Sequence, residues 1–211
     1  MDGSVFNEDY FERGIETGTS CYQRYHWMPE LTLKLAYNYI KYLGIKDTDM
    51  VCDFGASKGY IIRALRLLDI NAYGCDISEY AINNCDVTVK DYLKLSTTNN
   101  IIPFDTVFDF IIAKDVFEHI PESEIDNVIT AIYEHSTNLF AIIPLGINNK
   151  FEIPAYALDK THVLAKDVTW WFNKFEQNGW KLKSFSYYVP GIKESWAQYD
   201  VGNGFFWLNK G

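Results

Sequence analysis

Two short apolar runs, each ending in a carboxylate and separated by a glycine turn and a helix-length segment, limit this chain more than any other feature. The first, Met50-Val51-Cys52-Asp53-Phe54, runs straight into Gly55-Ala56-Ser57-Lys58-Gly59; the second is Asn71-Ala72-Tyr73-Gly74-Cys75-Asp76. Between them Ile61, Leu65 and Leu68 recur at helical spacing. Strand, tight turn, helix and strand form a βαβ unit, which belongs in a parallel sheet covered by helices. Glycines in the turn let backbone approach a ligand closely, and the helix start offers N–H groups without partners. A carboxylate about 20 residues past such a turn can accept from both hydroxyls of a ribose. The expectation is a cofactor that contains a nucleoside.

The rest of the pattern extends this unit into an α/β domain. Pro29 suits a helix start, and Leu31, Leu35, Tyr39 and Leu43 recur until Gly44. Ser78 is a good N-cap for a further helix, and Val87-Thr88-Val89 reads as a brief third strand. Val107 to Ala113 is an apolar run suited to a strand covered on both faces. Pro121 to Ser136 reads as a helix, Leu139 to Pro144 as the fifth strand, and Lys166 to Gln177 as a helix stopped by Gly179. Lys181 to Tyr188 and Gly204 to Leu208 are strands with no helix between them, so they pair antiparallel at the sheet edge. The expected fold is α/β and Rossmann-like: a mostly parallel seven-stranded sheet with an antiparallel edge strand and helices on both faces. Residues 29–211 form one domain, and the aromatic, aperiodic residues 1–28 an arm or lid.

Composition removes several classes of partner. Lys plus Arg number 19 against 28 Asp plus Glu, and a net charge of −9 has the wrong sign for a phosphate backbone. No run of about 18 apolar residues would span a bilayer, and Met1-Asp2-Gly3-Ser4 lacks the basic start of a signal peptide. The expected location is cytoplasmic, with a small-molecule partner and neither nucleic acid nor membrane. Cys21, Cys52, Cys75 and Cys85 show no C-x-x-C spacing and read as reduced core residues.

The choice of cofactor follows from the turn. No Gly-x-Gly-x-x-Gly fingerprint occurs, and Asp53, two residues before the first glycine, would meet a cation better than a pyrophosphate. An NAD(P)-dependent oxidoreductase is therefore the second choice. In this light Val51 to Gly59 resembles the first motif, Asp-x-Gly-x-Gly-x-Gly, of the class I S-adenosylmethionine-dependent methyltransferases. Tyr73 to Ser78 resembles their ribose-binding motif, and Phe108 to Pro121 the segment leading from strand four into the active site. Thr161-His162-Val163, Trp170-Trp171-Phe172 and Asn178-Gly179-Trp180 resemble a late segment of the branch acting on sugars, quinones and other small molecules. Ser57 replaces the motif's middle glycine, which narrows the turn's conformational freedom; a serine can sit in such a turn with negative φ and can itself hydrogen-bond a carboxylate. A non-catalytic relative that keeps the cradle is the third reading.

The resemblance implies methyl transfer from S-adenosylmethionine to an oxygen, less readily a nitrogen, of a small acceptor such as a sugar or nucleotide-sugar. It places Asp53 near the methionine ammonium, Gly55, Ala56, Ser57 and Gly59 along the methionine and ribose, and Asp76 on the ribose hydroxyls. Ile77 lies against the adenine, Asp91 and Tyr92 at its edge, and Lys114 beside the sulfonium. A hydroxyl acceptor needs a base, for which His119 and His162 are the candidates. Asp115, Glu118 and His119 share one side if their segment is helical, and resemble the metal-binding Glu-x-x-Glu-His of ubiquinone O-methyltransferases. Asp115 is one methylene shorter than that motif's first Glu, so a divalent metal is allowed but not the preferred reading. Pro190 to Asn203 is the expected acceptor wall.

Overall fold

The computed structural model describes residues 2–211. A seven-stranded sheet carries the order β3-β2-β1-β4-β5-β9-β8. Its parallel part comprises β1 (Met50–Phe54), β2 (Asn71–Asp76), β3 (Leu93–Leu95), β4 (Phe108–Lys114) and β5 (Ser136–Pro144). The strands β8 (Trp180–Ser186) and β9 (Asn203–Lys210) complete it, with β9 antiparallel to both β5 and β8. A hairpin of β6 (Gly146–Ile147) and β7 (Lys150–Phe151) stands apart.

Alternation along the central strands builds two cores, one on each side of the sheet. Cys52, Phe54, Ile111, Ala113, Leu139 and Ala141 pack on one face against α6 (Ile125–His135) and α7 (Val168–Gln177). Val51, Phe110, Ile112, Phe140 and Ile142 point the other way, onto α3 (Pro29–Leu43) and α4 (Tyr60–Leu67). Both faces are therefore dry, as the uninterrupted apolar runs required. In α3 the inward stripe is Ala36, Tyr39 and Leu43, while Leu31 is exposed, so the buried face is rotated from the leucine spacing.

Two elements differ from the sequence expectation in ways that matter for the site. Val87–Tyr92 is a 3-10 turn, not a strand: Asp86 caps it by accepting from the Thr88 N–H at 2.9 Å and also pairs with Arg63. The third strand lies six residues later. The N-terminal region is also ordered, with a 3-10 turn at Gly3–Val5, α1 (Glu8–Glu12) and α2 (Gly14–Thr17). Three long-range contacts pin it. Ser78, which caps α5 (Glu79–Asn83), donates to the Phe6 carbonyl at 2.5 Å; Glu12 pairs with Lys58 at 2.5 Å; Tyr10 donates to Asp159 at 3.0 Å.

Candidate active site

β1 leads into the glycine turn. Gly55 has φ +81, and a Cβ there would meet Val116 Cγ2 at 2.4 Å, so the position admits only glycine without rearrangement. Ser57, for which negative φ is open, instead adopts φ +52, the left-handed region a glycine would favour. Its N–H is held there by Asp76, whose Oδ2 accepts it at 2.7 Å while Oδ1 accepts from Ser78 N–H at 2.8 Å. Burial raises the Asp76 pKa, and these backbone donors partly offset it. Asp53 is 2% exposed, and its Oδ2 has no hydrogen-bond partner among the described residues. Burial, followed by the nearby Asp76, pushes its carboxyl up to about 7 against a partial opposing pull from Lys114. A buried carboxylate with an unpartnered oxygen suits a cationic ligand, although Asp53 itself is not among the residues that line the cavity above the turn.

A cavity of about 420 Å³ opens over the carboxyl ends of these strands, within the usual range for small-molecule sites. On the β2–β3 side it is lined by Asp76, Ile77, Ser96, Thr97, Thr98 and Ile101, and at its centre by Phe54, Gly55, Ser57 and Val116. On the β4–β5 side stand Asp115, Glu118, His119, Tyr156, Asp159, His162 and Trp196. Phe6, Tyr10, Phe11, Cys21 and Tyr22 of the N-terminal region line it as well. Cys21 is thus an exposed thiol, not a core residue, whereas Cys52 and Cys75 are buried and Cys85 partly so.

Several expected residues do not line this cavity. Asp91 and Tyr92 belong to the 3-10 turn before β3, where Tyr92 stacks under the Arg66 guanidinium at 3.4 Å; the loop after β3, from Ser96 to Thr98, takes their place. Ala56 is buried behind the turn, and Gly59 caps α4 with φ +80 against Val89. Lys114 turns its ammonium onto Asp115 and the underside of the sheet end, and Val116 borders the cavity instead. Lys58, inside the first motif, ties the turn to Glu12 and the Tyr25 carbonyl. His26 and His135 bond local carbonyls of Arg24 and Ala131.

The acid–imidazole cluster also differs from the helical arrangement that the sequence allowed. Asp115 takes φ +55 and is ion-paired to both Lys114 and Lys193, which hold its carboxyl far below the usual range against the opposing effect of burial. Both of its oxygens are thus engaged by lysine ammonium groups. Phe117–His119 is a 3-10 turn in which Glu118 is fully buried. Its carbonyl accepts from the N–H groups of Val163 at 2.9 Å and Leu164 at 3.0 Å, which brings His162 alongside. The two imidazoles, His119 and His162, lie with ring centres 4.6 Å apart. His162 Nδ1 bonds the Tyr156 carbonyl at 2.7 Å, and His119 Nδ1 bonds Thr161 Oγ1 at 2.8 Å. Burial, reinforced by His162, lowers the His119 pKa to about 4, and burial lowers that of His162. Both shifts favour the neutral ring.

A parallel sheet with a glycine turn after β1, an acid ending β2 and a ligand-sized cavity above them is the arrangement that nucleoside-binding α/β domains use. Residues 52–135 match the family described as "Methyltransferase domain". Among solved structures, the methyltransferase in complex with the Trm112 methyltransferase activator of Haloferax volcanii aligns with TM-score 0.65 and 15% identity, covering 87% of this chain and 92% of that one. An S-adenosylmethionine-dependent methyltransferase from Clostridium acetobutylicum aligns with TM-score 0.62 and 10% identity, over 84% and 91% of the chains. A glycopeptide N-methyltransferase complexed with sinefungin aligns with TM-score 0.63 and 8% identity, over 85% and 87%. No curated protein sequence matches significantly. The fold is that of these methyltransferase structures, and the segment 52–135 is similar to the methyltransferase domain family. Among the described residues no helix is long and apolar enough to cross a membrane.

Proposed function

We propose that the protein methylates a hydroxyl oxygen of a small-molecule acceptor, with a sugar or nucleotide-sugar as the acceptor class and residues 1–28 acting as a lid over donor and acceptor. The observation that carries this reading is the pair of neutral imidazoles, His119 and His162, facing the cavity from the β4–β5 side. A hydroxyl must lose its proton as its oxygen attacks, and neutral imidazole is suited to take it. Tyr156 and Trp196, whose rings lie 5.5 Å apart, offer aromatic faces to the apolar side of a pyranose.

In this reading Asp76 accepts from the ribose hydroxyls, Ile77 and Ser96–Thr98 flank the adenine, and the turn at Gly55 to Ser57 receives the amino-acid tail. Asp53, buried at the end of β1 with one oxygen unpartnered among the described residues, is the negative charge that offsets the methionine ammonium. The acceptor oxygen approaches the methyl carbon opposite sulfur; the new C–O bond forms as the C–S bond breaks, and that electron pair stays on sulfur. The donor already carries its activating positive charge, so the protein chiefly supplies alignment and a proton sink. The lid reading is supported by Tyr10, whose hydroxyl reaches Asp159 beside His162 while its ring lines the cavity.

The test is incubation with methyl-labelled donor and a panel of sugars, nucleotide-sugars, catechols and amines, read by mass spectrometry. A labelled methyl ether on a sugar supports the proposal; a labelled methyl only on an amine, or none with a tightly bound donor, contradicts it.

A further inference from the structure

We infer that Glu118, His119 and His162 form a divalent-metal site that opens into the acceptor side of the cavity. The inference comes from counting donors and acceptors. The Tyr156 carbonyl can only accept, so His162 Nδ1, 2.7 Å from it, carries the ring proton and Nε2 is left with its lone pair. Thr161 Oγ1 spends its one proton on Asp159 Oδ1 at 2.6 Å. Its 2.8 Å contact with His119 Nδ1 must then be donated by the ring, which leaves the His119 Nε2 lone pair free too. Glu118 completes the set: the residue has no exposed surface, and neither carboxylate oxygen has a hydrogen-bond partner among the described residues.

One ligand atom from each of the three lies within 4.8 Å of the others, and His162 Nε2 is 3.9 Å from Glu118 Oε1. Three potential ligand atoms thus converge with no other side chain among the described residues donating to the carboxyl group, an arrangement that burial makes costly unless a proton or a metal cation fills it. Two imidazoles and one carboxylate are a ligand set for a first-row divalent ion, with the remaining positions open to exogenous ligands. The outer contacts are those of a metal centre as well. Thr161 and the Tyr156 carbonyl fix the two ring orientations, and the hydrogen bonds from Val163 and Leu164 to the Glu118 carbonyl fix the backbone between ligands. Asp159, 4.0 Å from His162 Nε2 but already engaged by Tyr10 and Thr161, adds negative charge without being needed as a ligand. Asp115 is excluded by its two lysine partners, so His162 takes the third place that sequence spacing had given to Asp115.

With a metal bound, the two imidazoles would be ligands in place of proton acceptors, and the metal would acidify a hydroxyl bound to it, favouring acceptors with two vicinal hydroxyls that can chelate. That consequence rests on the proposed O-methylation; the metal site itself does not. The experiment is titration of chelator-treated full-length protein with Co²⁺, followed by visible absorption and calorimetry. One Co²⁺ per chain, with affinity reduced at least tenfold in both Glu118→Gln and His162→Ala, is the expected result. S-adenosylhomocysteine affinity in the same variants reports that the fold survives, and His119→Ala replaces either variant that does not fold. Absence of stoichiometric binding, or binding indifferent to these substitutions, overturns the site. Co²⁺ binding without any methyl transfer would retain the site and reject the O-methylation reading; methyl transfer to oxygen without stoichiometric Co²⁺ binding would do the reverse.

Discussion

Replacing Asp76 with Ala tests the donor geometry quantitatively. Its two oxygens accept from Ser57 and Ser78 N–H at 2.7 and 2.8 Å, and the side chain still lines the cavity, so lone pairs remain for a ribose. Hydrogen bonds to a charged partner contribute about 1.5–3 kcal/mol each, and the exchange with water leaves an expected net loss of about 1–3 kcal/mol for the pair. The dissociation constant for S-adenosylhomocysteine should rise roughly 5- to 150-fold. Because the substitution also strands two backbone donors, a fall in affinity alone would not distinguish ribose binding from a collapsed turn. A double-mutant cycle removes that ambiguity: calorimetry of wild type and Asp76→Ala, each with S-adenosylhomocysteine and its 2′,3′-dideoxy analogue. If Asp76 holds the ribose, wild type should discriminate between the ligands by about 1–3 kcal/mol and the variant by almost nothing. Equal discrimination by both proteins would refute the assignment, whatever the absolute affinities.

Three further perturbations address the rest of the cavity. His162→Ala should lower turnover about a hundredfold or more while leaving donor affinity intact; unchanged turnover in a steady-state assay would remove His162 from the chemistry. Gly55→Ala places a Cβ 2.4 Å from Val116 Cγ2 at φ +81, so both melting temperature and donor affinity should fall, and an unaltered calorimetric titration would show that the turn does not touch the donor. The Asp53 carboxyl has its pKa raised from 3.8 to about 7, so its contribution to apo stability is full below the lower value and is lost as pH rises through the upper one. A donor ammonium reverses that preference. Donor affinity should therefore increase from about pH 6 to 8, and Asp53→Asn should flatten the calorimetric pH profile; a wild-type profile already flat would contradict the pairing.

What could be seen in the sequence was what is encoded over short distances. The βαβ unit is legible because Asp53, the glycine turn and Asp76 lie within one crossover, and the antiparallel β8–β9 pair because no helix separates its strands. The third strand was not, because Val87-Thr88-Val89 and Leu93-Lys94-Leu95 carry the same alternation, and Asp86 curls the first into a 3-10 turn by bonding to Thr88. That shift moved the loop flanking the cavity from Asp91–Tyr92 to Ser96–Thr98. Ser57 shows a different limit: a serine can sit in such a turn with negative φ, but Asp76 holds its N–H and overrides the local preference. The pairing of Asp115 was hidden because its partner Lys193 is 78 residues away, and no spacing rule reaches that far. His119 and His162 were recognised separately; their 4.6 Å approach depends on Glu118 receiving the Val163 and Leu164 N–H groups, a contact visible only once the chain is folded.

A crystal structure of the protein with S-adenosylhomocysteine tests the central claim most directly. It should show the adenine between Ile77 and the Ser96–Thr98 loop, both ribose hydroxyls within hydrogen-bonding distance of Asp76, and the amino-acid tail over Gly55 to Ser57. Saturating ligand bound elsewhere, with this cavity left to the side chains of Phe6 and Tyr10, would contradict the account.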